Sequence, residues 1–201
     1  MRFNGDIVII LGFLCYLIFR AIILVIRAKR KKTVVWFNEL MGLLFILYAL
    51  MVVSVTLFPL YIGIPHEEFS YRFINYKPLI SIFDDISQVG TAYSGDTLFM
   101  IKLIVRNVGG NILMFMPLGF LAPVLWGRYR RFKNILMIGL IVSLSIESLQ
   151  LVENLLEVAM TRSVDIDDVI CNTFGAILGY SIYKLLVLYL ASWCLIKNPS
   201  N

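Results

Sequence analysis

Five stretches of mostly apolar residues dominate this chain, each near the roughly 20 residues that a helix needs to cross a bilayer. They are Ile7–Ile26, interrupted by Arg20; Leu40–Leu60; Val108–Trp126, with Pro117 inside it; Ile135–Val152, with Glu147 near its end; and Val169–Leu190, with Lys184 near its end. A helix that is apolar on every side has to be buried in a large core or in lipid. The chain has 201 residues, and length alone permits one compact domain. The composition agrees: 60% hydrophobic and 15% charged, against about 45–50% and 25% in a soluble domain. The pattern predicts an all-α, polytopic membrane bundle of five transmembrane helices.

Lysine and arginine in short loops set orientation. "RAKRKK" (Arg27–Lys32) joins the first two spans, and "GRYRRFK" (Gly127–Lys133) joins the third and fourth. Both are then cytoplasmic, the N-terminus lies outside and the C-terminus inside. Lys184 and Lys197 fall on the inner side, and Lys184 and Arg20 can snorkel to that interface. Trp36, Trp126 and Trp193 gather near it too, as aromatic belts do. The net charge of +5 is no nucleic-acid footprint, because its basic residues sit beside apolar spans. Cys15, Cys171 and Cys194 lie in apolar stretches without metal or disulfide spacing and read as small hydrophobes. The first apolar run is too long for a cleavable signal and lacks a small-residue cleavage site.

Two outer segments remain, Tyr61–Arg106 and Glu153–Asp168. In the former, Leu79, Ile82, Phe83, Ile86 and Val89 recur at helical spacing, predicting an amphipathic helix on the outer membrane surface. "TLFMIKLIV" (Thr97–Val105) is too short to span; it is either re-entrant or an extension of the third helix. The chain shows no internal repeat, which weakens an inverted-repeat transporter.

Polar residues inside the spans form stripes. Ser143, Glu147 and Gln150 share one face of the fourth span, and Asn154 continues it. Asp165, Asp168, Asn172, Gly175 and Gly179 make a second stripe, and Asn107 and Asn111 lie one turn apart in the third. With this topology all lie in the outer half. Carboxylates and amides from three helices are expected at a common, outward-facing place, since such residues usually face a bundle interior or a wet cavity.

Plainer roles compete. Asp165 and Asp168 resemble an N-cap and a first-turn acid. Glu147 and Gln150 can serve as interhelical glue, and "GAILG" (Gly175–Gly179) reads as a small-xxx-small packing face. Asn111 can satisfy a carbonyl freed by a kink at Pro117. One cap, however, does not explain Glu147, Asn111 and Asn172 together. Chemically, Glu147 beside Asp165 or Asp168 can form an acid–base pair. The same oxygens can hold a divalent cation, and Arg162 and Arg106 can clamp a phosphate or carboxylate. The only histidine is His66, in the outer loop. This speaks against histidine-dependent lipid phosphatases, multi-histidine metalloproteases and intramembrane serine proteases.

"NILMFMPLGFLAPVL" (Asn111–Leu125), "SIESLQL" (Ser145–Leu151) and "RSVDIDDVICNTFGAILGY" (Arg162–Tyr180) resemble, in order and spacing, the motifs of the VanZ-like family. "VTLFPL" (Val55–Leu60) and "INYKPL" (Ile74–Leu79) resemble its earlier motifs, so the likeness runs from roughly Leu40 to Leu190. The family's motif residues correspond to Asn111, Phe115, Pro117, Gly119, Glu147, Gln150, Arg162, Asp165, Asp168, Asn172 and Gly175. The family is named for a membrane protein associated with resistance to teicoplanin, a lipoglycopeptide antibiotic acting on the bacterial cell wall.

The resemblance implies a bacterial plasma-membrane protein of the cell envelope. Residues 1–34 form an extra span and basic loop, 35–195 the VanZ-like domain and 196–201 a tail. The function expected is reduced susceptibility to lipoglycopeptides. An outward-facing polar site would bind or modify the drug or an envelope precursor, with Asn111, Gln150, Arg162, Asn172 and Arg106 in binding roles. Glu147, Asp165 and Asp168 are the candidates for chemistry. The rivals are a membrane hydrolase or transferase on a lipid-linked substrate, a non-catalytic scaffold in a membrane complex and a small transporter. Expected partners are membrane lipids, with oligomers allowed and nucleic acid not expected.

Overall fold

In the computed structural model the described residues are 1–63, 74–158 and 163–197, the last seven by backbone alone. Arg162 and His66 lie outside them. Five helices are long and apolar enough to cross a membrane: Gly5–Lys29, Trp36–Leu57, Thr97–Leu125, Phe132–Leu155 and Ile166–Leu190. They match the five spans expected, and each runs further at its N-terminal end than the apolar count suggested. Polar first turns extend them: Asp6 in the first helix, Glu39 in the second, Asp167 and Asp168 in the last. Acids there meet the positive end of the helix dipole.

The elements are, in order, β1 (Arg2–Phe3), α1 (Gly5–Lys29), α2 (Trp36–Leu57), β2 (Leu60–Tyr61), β3 (Ile74–Asn75) and α3 (Ile80–Ser87). Then come α4 (Thr97–Ile104), α5 (Gly110–Leu125), α6 (Phe132–Leu155), β4 (Val164–Asp165) and α7 (Ile166–Lys197). By contacts the chain divides into two units, Met1–Pro78 with Leu144–Ile166, and Leu79–Ser143 with Asp167–Asn201.

In the first unit α1 packs on α2. An added Cβ at Gly5 or Gly12 would run into Ser54 or Leu50, so glycine permits the approach. None of the most apolar window of α1 is buried within the chain, which suits a helix solvated by lipid. Two short strand pairs tie the unit. β1 pairs antiparallel with β2, Arg2 opposite Tyr61. β3 pairs in parallel with β4, Ile74 opposite Val164 and Asn75 opposite Asp165. Arg20, expected to snorkel, instead donates to the Glu39 carboxylate of α2, and Arg27 Nη1 reaches the other oxygen at 3.4 Å. Inside a membrane a charge is cheapest when paired.

In the second unit "TLFMIKLIV" is an extension of the third span. α4 and α5 join through a π turn at Val105–Gly109, making one apolar helical run of 29 residues. α5 continues through Pro117 and Pro123. It lies on α7 in backbone contact: a Cβ at Gly175 would collide with the carbonyl of Ile112, one at Gly179 with that of Met116, and one at Gly119 with that of Ala176. This is the small-residue packing that "GAILG" predicted. α3 is the expected amphipathic helix; Phe83 and Ile86 on its apolar side are exposed within the chain, as lipid-facing residues would be.

Midway along α7, Tyr180 donates its hydroxyl to the Arg130 carbonyl at 2.8 Å, and Lys184 Nζ stands 5.7 Å over the Tyr180 ring. The loop Gly127–Lys133 and Lys184 therefore share one end of this unit. Asp168 lies about 18 Å back along α7, at about 1.5 Å per residue.

Candidate functional site

The polar residues sort into local groups, and each group joins motifs distant in sequence. In the first unit Glu147 is 7% exposed and its Oε2 accepts the backbone N–H of Asp165 at 3.0 Å. Asp165 Oδ1 accepts from Asn75 Nδ2 at 2.8 Å, and Asn75 Oδ1 accepts the Lys77 N–H at 3.0 Å. The parallel pairing of β3 with β4 puts Asn75 and Asp165 side by side. Asp165 directly precedes α7, the cap position expected of it. Glu147 thus meets Asp165 through a contact of carboxylate with backbone amide. Gln150 donates from Nε2 to the Thr56 carbonyl at 2.9 Å, which is the interhelical glue considered for it.

In the second unit Asp168 Oδ1 accepts from Asn111 Nδ2, joining α7 to α5. One turn later Asn172, 1% exposed, donates from Nδ2 to Ser143 Oγ at 2.9 Å; Ser143 is itself fully buried. The Asn172 Oδ1 and the Thr173 hydroxyl are buried with no hydrogen-bond partner. An unsatisfied buried polar atom costs about 1–3 kcal/mol, so a native site that keeps one calls for an explanation. Arg106 is exposed on the π turn and belongs to neither of these pairs. π turns inside α-helices often mark functional positions.

Asp167 falls off the stripe of Asp165, Asp168 and Asn172, so helical spacing gives it no role. It is 3% exposed, and its carboxylate accepts the backbone N–H groups of Leu79 and, at 3.3 Å, Ile82. It thus caps α3 from another helix, where Leu79, at φ 65°, offers no side-chain acceptor of its own. No spacing singles out Asn75 or Thr56 either, although they lie in the motifs "INYKPL" and "VTLFPL" respectively. Among the described residues no three histidine, cysteine, aspartate or glutamate side chains gather as metal ligands.

The chemistry on offer is therefore acceptor-rich: four carboxylates, of Glu147, Asp165, Asp167 and Asp168, held by amide N–H groups, and the Asn172 amide oxygen still unfilled. Such groups recognise hydroxyl, amide N–H or ammonium donors.

Five apolar helices with buried amides and carboxylates define a multi-pass membrane protein with polar sites built between its helices. A family model described as VanZ/LLP1 matches residues 45–188, and the chain belongs to that family. The match takes in α3 through α7, nearly all of their length, and begins inside α2, leaving α1 outside. No curated protein and no solved structure matches the chain.

Proposed function

We propose that this is a bacterial plasma-membrane protein of the cell envelope that lowers susceptibility to lipoglycopeptides such as teicoplanin. It does so by binding the drug or an envelope precursor at the outer leaflet. The N-terminus is outside and the C-terminus cytoplasmic, in line with the basic loops Arg27–Lys32 and Gly127–Lys133. The observation that carries the reading is Asn172: a buried amide with one end on Ser143 and an oxygen left unfilled, one turn from Asp168. A lipoglycopeptide brings an acyl tail for lipid and sugar hydroxyls and peptide N–H groups for such acceptors. Asp168 and Asn172 meet amide and hydroxyl partners, hydrogen-bonding groups of the kind that recognise a ligand.

The test is susceptibility of cells expressing Asp168→Asn, Asn172→Leu or Glu147→Gln at equal membrane abundance. Each should return teicoplanin susceptibility to that of cells lacking the protein. Protection equal to wild type in all three would overturn the reading. Turnover of a lipid-linked precursor by purified protein would replace it with the transferase or hydrolase alternative.

A further inference from the structure

We propose that the turn between α1 and α2 is a headgroup site for an anionic phospholipid. An open cavity of about 450 Å³ lies there, lined by Ile23, Ile26, Arg27, Arg30, Lys32 and Thr33. That volume lies within the roughly 300–1,000 Å³ of small-ligand sites. The lining is divided by chemistry. Ile23 and Ile26 offer an apolar wall continuous with the lipid-facing side of α1, fit for the start of an acyl chain. Arg27, Arg30, Lys32 and the Thr33 hydroxyl offer donors fit for a phosphate.

The turn is built rather than loose. Lys32 N–H bonds the Arg27 carbonyl and Lys31 N–H the Ala28 carbonyl, both at 3.0 Å, the paired bonds of a Schellman helix end. Its left-handed position, which favours glycine, is filled by Lys31 at φ 52°. The chain thus keeps a cation where the backbone asks for glycine. Charge is controlled from the neighbouring helix as well. Glu39 takes Arg20 and Arg27 together, so one acid answers two guanidiniums, and Arg30 and Lys32 line the cavity. Trp36 and Phe37, the exposed first residues of α2, are anchors that belong at a membrane interface. A cation beside an anionic lipid surface is worth about fivefold in binding.

The site shares no residue with the polar groups around Asn172, and its test does not depend on them. The full chain is purified in mild detergent and its bound lipid read by native mass spectrometry in mixtures of phosphatidylglycerol and phosphatidylcholine. One phosphatidylglycerol should be retained in preference. Arg30→Gln with Lys32→Gln should lower that retention about tenfold or more. Both residues are exposed, so the thermal transition should stay that of wild type. Arg131→Gln with Lys133→Gln, in the other basic loop, should leave retention unchanged. Equal retention by the Arg30/Lys32 variant would overturn the proposal. So would displacement of the lipid by millimolar inorganic phosphate, which would mark a soluble-anion site.

Discussion

Single residues in this protein differ sharply in what a change would cost. Gly175 and Gly110 show it well. A methyl at Gly175 points into the Ile112 carbonyl, backbone that cannot swing aside. At Gly110 nothing lies within 4 Å and the backbone is helical. Gly175→Ala should destabilise by about 1–3 kcal/mol, the usual cost of overpacking. Gly110→Ala should be neutral or stabilising by up to about 1 kcal/mol. Thermal unfolding in detergent reads both, and equal melting of the two variants would contradict the α5–α7 contact. Asn172 separates structure from function in a similar way. Ser143→Ala with Asn172→Leu removes both partners of a buried bond and replaces them by apolar atoms of like size. Such a swap is close to neutral in stability, within about 1.5 kcal/mol. The same double variant should lose protection against teicoplanin. A variant that melts normally and still protects would make the buried amide a relic of packing.

At the scale of elements, α3 owes its position to a residue outside itself. Its first turn leaves backbone N–H groups unpaired, and Asp167 fills two of them. Asp167→Ala should raise hydrogen exchange of the Leu79–Phe83 amides about tenfold, matching a cap worth about 1–2 kcal/mol. Exchange at Gly175–Tyr180 should not change, and unchanged exchange in α3 would refute the cap. The case also shows where sequence reading stops. The helical spacing of Leu79, Ile82, Phe83 and Ile86 made α3 visible, because periodicity is local. Asp167 lies 88 positions from Leu79, and no spacing rule connects an acid in one helix to the free amides of another. The strand pair β3–β4 escaped for the same reason: two residues each, joined across 90 positions at Asn75 and Asp165. Spacing did put Asp165, Asp168 and Asn172 on one stripe. It did not say that each meets a different partner, because partners are set by register between helices.

For the whole molecule, the five spans were readable because lipid demands helices of a fixed apolar length. The π turn was not, since "VRNVG" carries a charge and a glycine that read as a break, yet α4 and α5 continue through it. Orientation follows from charge asymmetry alone, so it is tested by accessibility. In a chain with Cys15, Cys171 and Cys194 replaced by alanine, single cysteines go to Lys31, Arg128, Tyr76 and Ser94, all but Arg128 flanking or inside loops of α1–α4. Lys31 and Arg128 sit in the basic loops and should react with a membrane-impermeant thiol reagent only after cells are opened. Tyr76 and Ser94, both exposed and in the long segment between α2 and α4, should react in intact cells. One span separates Lys31 from Tyr76 and one separates Ser94 from Arg128, so the two pairs must label from opposite sides. Labelling of Lys31 and Arg128 in intact cells would invert the molecule. It would turn Asn172 and Asp168 toward the cytoplasm and remove any outer-leaflet drug from their reach.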